Sequence, residues 1–365
     1  MMARRKTREI RVGSVRVGGD APITVQSMTS TDTADVRSTV AQIKELEAAG
    51  CEIARVAIPD MIAARAVGEI KKSISVPLVA DIHFDWRLAL ASLESGADCL
   101  RINPGNIGSE ARTREVVKAA RERGVPIRIG VNAGSLEKDI LARYGHPVPE
   151  ALVESAMRHV RILEDMGFSA IKVSLKASSV PLTVASYRLL AERVDYPFHI
   201  GITEAGTPFA GSIKSAAGLG ILLSEGLGDT LRVSLTGDPV EEARAGWEIL
   251  KALEIRERGV RIISCPTCAR LKFDSIGIAG EVEKRLSKVT ESVKVAIMGC
   301  VVNGPGEAVE ADIGIAGGDR SGMLYVKGRQ VGKVAEKDIV ERVVKEVNRI
   351  LDERRADRPW ISNTE

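Results

Sequence analysis

Ile23-Thr-Val-Gln-Ser-Met-Thr29, the stretch Asp35–Ala49 and Glu52-Ile-Ala-Arg-Val-Ala-Ile-Pro59 read together as one strand–helix–strand unit. In the middle stretch Val36, Val40, Ile43 and Leu46 recur at steps of three and four, which is one face of a helix, and Gly50 follows its end. The flanking runs are short, apolar and continuous, as strands covered on both faces are. A helix between two such strands predicts parallel pairing.

The same unit recurs along the chain. Further strands are expected at Pro77–Phe84, Cys99–Gly105, Pro126–Asn132, Ala170–Ala177, Phe198–Ala205 and Asp229–Gly237. Helices are expected near Ile62–Ser73, Arg87–Ser95, Glu110–Arg123, Pro149–Met166, Leu182–Val194, Ser212–Ser224 and Val240–Leu253. Eight strands, each followed by a helix, are the count of a (β/α)8 TIM-type barrel, here over 1–256. An open doubly wound sheet is the rival, but no GxGxxG follows the first strand. After Leu253 the pattern changes. Strands at Val260–Cys265, Val293–Gly299, Asp312–Ala316 and Met323–Val334 (with a turn at Lys327–Gln330), and helices at Ala269–Leu286 and Ala335–Arg354, suggest a smaller α+β domain over 257–355. Residues 356–365 read as a flexible tail.

The bulk numbers exclude several classes. A net charge of +3 and 3% aromatic residues give no basic patch interleaved with rings, so no nucleic-acid partner is expected. No apolar run reaches the length of a membrane span. Five cysteines in 365 residues do not form a disulfide framework, so a cytoplasmic, reducing location is expected.

Three of those cysteines lie close in sequence: Cys265 and Cys268 in a CxxC, and Cys300 in Gly299-Cys-Val-Val-Asn-Gly-Pro-Gly-Glu307. All four histidines precede residue 200, so a fourth metal ligand would be a carboxylate, an amide or an outside group. The thiols alone leave open a metal or cluster site, a dithiol redox pair and inert buried cysteines. Cys51 and Cys99 each open an apolar run and read as structural.

Active sites of such barrels lie at the C-terminal strand ends, and those ends are polar here. Arg55, Arg101, Arg128 and Lys176 recur on different strands and are the expected phosphate ligands, because Arg forks phosphate bidentately and buried cations need anions. Asn103, Asn132 and Ser234 are expected polar helpers. Glu204 is the best carboxylate for proton handling or for steadying a substrate hydroxyl. His83 suits a general acid, a ligand or a merely satisfied histidine, and Asp81 two residues earlier denies it a His-x-His metal pair.

Seven motifs carry a resemblance to one family. Val25-Gln-Ser-Met-Thr29, Ala80-Asp-Ile-His-Phe-Asp85, Arg101-Ile-Asn-Pro-Gly-Asn106, Arg128-Ile-Gly-Val-Asn-Ala-Gly-Ser-Leu136, Gly201-Ile-Thr-Glu-Ala-Gly206 and the two cysteine motifs resemble bacterial 4-hydroxy-3-methylbut-2-enyl diphosphate synthases of the two-domain form, from about Arg8 to about Leu351. The resemblance implies a [4Fe-4S] cluster held by Cys265, Cys268, Cys300 and Glu307. It also implies reductive ring opening of 2-C-methyl-D-erythritol 2,4-cyclodiphosphate in the non-mevalonate isoprenoid pathway, with electrons from a flavodoxin or ferredoxin. Glu307 would then be the exchangeable ligand, catalytic as well as structural; otherwise it caps the turn at Asn303–Gly306.

Geometry adds a partner. The helix after the eighth strand returns the chain to the face opposite the mouth, and the linker Arg256–Gly259 is too short to bring it back. A head-to-tail homodimer is therefore expected, each copy's cluster domain covering the other's barrel, with a hinge near Glu257–Val260. Rival functions are a non-redox lyase or Schiff-base aldolase using Lys172 or Lys176 with a structural zinc, and a non-catalytic metal-binding partner. A radical enzyme using S-adenosylmethionine would need CxxxCxxC, which is absent.

Overall fold

An antiparallel hairpin of β1 (Ile10–Val12) and β2 (Val15–Val17) precedes the barrel and buries Ile10, Val12 and Val17 against Ile53, Val79 and Cys99. Those three partners stand at the N-terminal ends of barrel strands, so the hairpin plugs the floor. The computed structural model describes residues 3–103 and 107–357. The chain divides into two compact units, Met1–Arg256 and Glu257–Glu365.

The first unit alternates β3 (Thr24–Met28), α1 (Val36–Ala48), β4 (Ile53–Ala57), α2 (Met61–Lys71), β5 (Leu78–Ile82), α3 (Trp86–Glu94), β6 (Cys99–Ile102), α4 (Glu110–Glu122) and β7 (Ile127–Asn132). It continues with α5 (Lys138–Tyr144), α6 (Pro149–Asp165), β8 (Ile171–Lys176), α7 (Val180–Ala191), β9 (His199–Ile200), α8 (Pro208–Ser224), β10 (Thr230–Leu231) and α9 (Pro239–Ala252). Strands β3 to β10 pair in chain order, all parallel, and β10 returns to β3. A parallel bridge between Val173 and Phe198 joins β8 to the start of β9 and closes the ring, the (β/α)8 barrel that the alternation predicts. Helices begin where side chains satisfy their free N–H groups: Asp35, Asp60, Asp85, Ser179 and Asp238 cap α1, α2, α3, α7 and α9.

The seventh and eighth strands are shorter than expected. Their ladders stop at Ile200 and Leu231. The apolar pattern continues beyond because the following loops pack on α8: Ile202 lies against Gly218 and Leu235 against Gly211. The expected fourth strand ends at Ile102, and its last expected residues, Pro104 and Gly105, lie outside the described residues, as does Asn106 of the same motif.

The second unit is a five-stranded sheet in the order β11 (Val260–Ser264), β12 (Val293–Met298), β13 (Ile313–Gly318), β14 (Ser321–Val326), β15 (Arg329–Ala335). The first three strands are parallel and the last three antiparallel. Ile278, Val282 and Leu286 of α10 (Ser275–Leu286) join Val343, Val347 and Ile350 of α12 (Ile339–Ala356) in its core. The short α11 (Gly304–Val309) follows the third cysteine. Helix α10 starts six residues later than expected, because Asp274 caps it and 265–273 is a loop tied down elsewhere. Ala356, expected in the tail, still belongs to α12, where Arg355 pairs with Glu291; 358–365 lie outside the described residues.

Candidate active site

Side chains alternate along each strand, so Arg55, Asp81, Arg101, Arg128, Lys172, Lys176, His199 and Arg232 all point into the barrel. The register aligns Asp81 of β5 with Arg101 of β6, Arg101 with Arg128 of β7, and Arg128 with Lys172 of β8. Among the described residues these six cations share the interior with Asp81 and with Glu242 of α9, and Asp229 before β10 acts on Lys172.

Asp81 is the hub. Its Oδ1 accepts from Arg101 Nη1 at 3.1 Å, and its Oδ2 lies 3.7 Å from Arg55 Nε and 3.4 Å from His83 Nε2. Burial would raise its pKa, but Arg55, His83, Arg101 and Arg128 together hold it well below the usual carboxylate range. Arg101 also donates to Gly130 O at 3.1 Å, and its Nη1 lies 3.2 Å from His83 Nε2. Glu242 takes Arg232 through two contacts of 3.1 Å and Ser27 Oγ at 2.9 Å. Lys176 Nζ donates to His199 Nε2 at 3.3 Å, and His199 Nδ1 sits 2.8 Å from Thr230 Oγ1. Burial and the surrounding cations push both Lys176 and His199 well below their ordinary pKa, so His199 is neutral and free to accept.

The cations are not all balanced. Nε and Nη1 of Arg128 are buried without a hydrogen-bond partner among the described residues, as is Lys172 Nζ. Burial and Arg101 push Arg128 down to about 10, and burial pushes Lys172 down to about 8. Such a cluster costs stability unless an anion completes it.

Among the expected helpers, Asn103 is buried and donates to Ser135 Oγ at 2.9 Å. Asn132 stands in register with Lys176 and is half-buried. Ser234 is half-buried in the loop after β10. Glu204 is exposed and left-handed, at φ 50°. His83 is partly exposed beside Phe84. Sequence reasoning places Asp81 and Arg232 at strand ends without a specific role, and singles out neither His199, Glu242 nor the inward glycines. Inward spacing on β5, β9 and β10 was the available signal for Asp81, His199 and Arg232.

In the second unit Cys265 follows β11 and Cys300 follows β12, at the same ends of paired parallel strands. The Gly299 N–H donates to Cys265 Sγ at 3.2 Å, and Lys272 N donates to Gly299 O at 3.0 Å, so the CxxC loop wraps the turn that carries Cys300. Cys268 is exposed, and hydrogen bonds from the Arg270 backbone and side chain lower its thiol pKa. Glu307 is exposed on α11. Among the described residues no three Cys, His, Asp or Glu side chains are close enough to share a single metal ion. Each cysteine of an iron–sulfur cube binds a different iron, so its ligands stand apart, and three free thiols on adjoining loops fit that group in type and placement. Cys51 and Cys99 are buried with raised pKa, Cys51 up to about 12, and are structural.

Residues 7–247 match the GcpE TIM-barrel domain and 261–349 the GcpE protein C-terminal domain. A 4-hydroxy-3-methylbut-2-en-1-yl diphosphate synthase (flavodoxin) of Geobacter sulfurreducens is 63% identical over 349 residues, 96% of this chain and 99% of that protein. The protein of the same name from Acidithiobacillus ferrooxidans is 57% identical, covering 97% of each chain. A type I 3-dehydroquinate dehydratase from Clostridium difficile shares the fold alone, with TM-score 0.50 and 13% identity over 68% of this chain and 98% of that one.

Proposed function

The chain belongs to the GcpE family, and from that premise we propose that it opens the ring of 2-C-methyl-D-erythritol 2,4-cyclodiphosphate reductively in isoprenoid biosynthesis. Two electrons and two protons enter, a carbon–oxygen bond of the ring breaks, one oxygen leaves as water, and (E)-4-hydroxy-3-methylbut-2-enyl diphosphate is released.

The observation that carries this reading is the surplus of buried cations inside the barrel, with Arg128 lacking partners for two of its nitrogens among the described residues. A cyclic diphosphate brings the missing negative charge. Arg55, Arg101, Arg128 and Lys176 grip it, and Asn103, Asn132 and Ser234 orient its hydroxyls and phosphate oxygens. Asp81 keeps Arg101 and Arg55 in place rather than touching substrate, and neutral His199 aims the Lys176 ammonium. His83, open to solvent beside Arg101, passes a proton to the departing oxygen, and Glu204 handles the second.

Cys265, Cys268, Cys300 and Glu307 would hold a [4Fe-4S] cluster. When bound, that group supplies electrons one at a time and Lewis acidity. Flavodoxin, named for the relatives, is the donor we assign. Arg256 donates to Ile23 O and Glu52, both at the N-terminal ends of strands, so the chain leaves the barrel opposite its mouth. This supports a head-to-tail homodimer in which a second copy supplies the cluster-bearing unit. No helix among the described residues is long and apolar enough to cross a membrane. Five free thiols suit the reducing cytoplasm.

The test is anaerobic purification, an absorption spectrum with iron and sulfide analysis, and turnover of the cyclic diphosphate. About four irons per chain with turnover is the expected result. A colourless zinc protein without turnover would point instead to a non-redox lyase.

A further inference from the structure

Met28, in the Val25-Gln-Ser-Met-Thr29 motif, is the last residue of β3 and stands in register with Arg55 of β4. It is half-buried, and its thioether sulfur meets two guanidinium groups. Arg55 Nε donates to Met28 Sδ at 3.1 Å, and Arg232 Nη1 lies 3.9 Å from it. The same Arg55 Nε is 3.7 Å from Asp81 Oδ2, so the sulfur is the nearer of these two acceptors. Arg232 commits Nε and Nη2 to Glu242, which leaves Nη1 on the Met28 side. Burial, and then Arg128, Arg232 and Arg101 against the pull of Asp81, press on the charge of Arg55 and lower its pKa. A charged fork under such repulsion needs something to fix its direction.

We infer that Met28 is a positioning residue: its sulfur holds Arg55 by Nε and so leaves both Nη groups to fork a substrate phosphate. A thioether is a weak, polarisable acceptor without charge. It fixes the guanidinium without cancelling the positive charge that the phosphate needs, as a carboxylate at this position would. With the sulfur gone, the acceptor left to Nε among these contacts is Asp81, which already serves Arg101 and His83. Arg55 would then close on that carboxylate and turn its fork off the phosphate. The inference rests on the reading of the barrel as the site of a cyclic diphosphate, and it adds a residue that acts on substrate only through Arg55.

The experiment titrates oxidised holoenzyme, with no reductant present, against the cyclic diphosphate and against inorganic pyrophosphate. Wild type, Met28→Leu and Met28→Gln are compared, and steady-state kinetics with a reduced flavodoxin follow. Leucine keeps the volume and removes the acceptor, whereas glutamine restores a neutral acceptor at similar reach. Met28→Leu should raise Kd for both anions, and KM for the cyclic diphosphate, about fivefold. Its kcat should stay within a factor of about two, the pattern of lost binding rather than lost chemistry. Its melting temperature without ligand should match wild type, and Met28→Gln should recover most of the lost affinity. A residue that only fills space predicts the reverse order, with leucine like wild type and glutamine worse. Wild-type affinity in Met28→Leu, or Met28→Gln no better than Met28→Leu, overturns the inference. Should pyrophosphate bind in the expected order while wild type ignores the cyclic diphosphate, the reductase reading falls and the role of Met28 stands. Wild type that binds neither anion overturns both.

Discussion

A Cβ on Gly130 would lie 2.4 Å from Nε of Arg101, so the guanidinium occupies the space that any other residue at 130 would fill. Gly201 stands in the same relation to Lys176, with a Cβ 2.9 Å from Nζ and 2.5 Å from Arg232 O. Neither glycine is required by a left-handed backbone. They are gaps in the barrel wall into which cations fold. A polar interior of this kind gives up packing to hold charges ready for an anion.

Gly130→Ala should therefore act on the substrate site before it acts on the fold. Arg101 must leave either Asp81 or the Gly130 carbonyl, and the grip on phosphate is lost. The expected outcome is a fall of about 100-fold in kcat/KM, on the order of 3 kcal/mol, with a smaller change in melting temperature. Gly134→Ala, where nothing lies within 4 Å of the added carbon, should be near neutral. Equal kinetics for the two variants would refute the space-making role.

Arg128→Met separates function from stability. The wild-type guanidinium is fully buried with two unpartnered nitrogens, and its neighbours Arg101 and Lys172 are also cationic. Replacing it with an apolar side chain should raise the stability of the ligand-free protein by about 1–2 kcal/mol. Binding of the cyclic diphosphate should fall at least about tenfold. Calorimetry with and without the cyclic diphosphate reads both effects. A destabilised variant with unchanged affinity would make Arg128 a structural residue.

The barrel itself was legible because parallel strands covered on both faces leave apolar runs, and the helices between them carry clear periodicity. The cations at the strand ends were legible from alternation. What balances them was not. Asp81 and Glu242 gain their roles from register and from the packing of α9 on β3, neither of which is local in sequence. The same limit explains β9 and β10: Ile202 and Leu235 look like strand residues but are loop residues facing glycines of α8. The hairpin Ile10–Val17 was missed because two three-residue strands are too short to show a period. On the cysteine side, spacing singles out Cys265, Cys268 and Cys300, but residues 269–273 read as the start of a helix because the loop's hold on Gly299 lies across the sheet.

His159 should shape the acid limb of stability. It is buried on α6, and neither ring nitrogen has a hydrogen-bond partner among the described residues. Burial, with help from Arg158, pushes its pKa down to about 4 from 6.5. Between those values the unfolded chain binds a proton that the folded protein does not, so stability falls as pH drops from about 6.5 towards about 4. The loss from this group is about 3 kcal/mol at most. In His159→Leu that contribution disappears, and the variant should gain on wild type steadily as the buffer is made more acidic. Parallel melting-temperature curves for the two proteins between pH 7 and 4.5 would contradict the assignment.

Gly299→Ala tests the cysteine loops without relying on catalysis. A Cβ there would lie 2.2 Å from Leu271 Cδ2, on the loop that carries Cys265 and Cys268. Either the Leu271 side chain turns away or the loop moves outwards, and the second breaks the Gly299 N–H to Cys265 Sγ bond, the Lys272 bond to Gly299 O, or both. The substitution lies in the turn after β12, outside the core that α10 and α12 make with the sheet, so the sheet should survive with little change in melting temperature. Thiols whose loops have shifted should hold iron poorly. After anaerobic reconstitution the variant is expected to retain less than about half the wild-type iron and sulfide, since support beyond the ligands themselves is worth about tenfold or more in metal affinity. Conservative Cys300→Ser should lose iron as well, but with the loop contacts to Gly299 intact. Full iron loading in Gly299→Ala would show that the wrapped loop is not what presents the thiols.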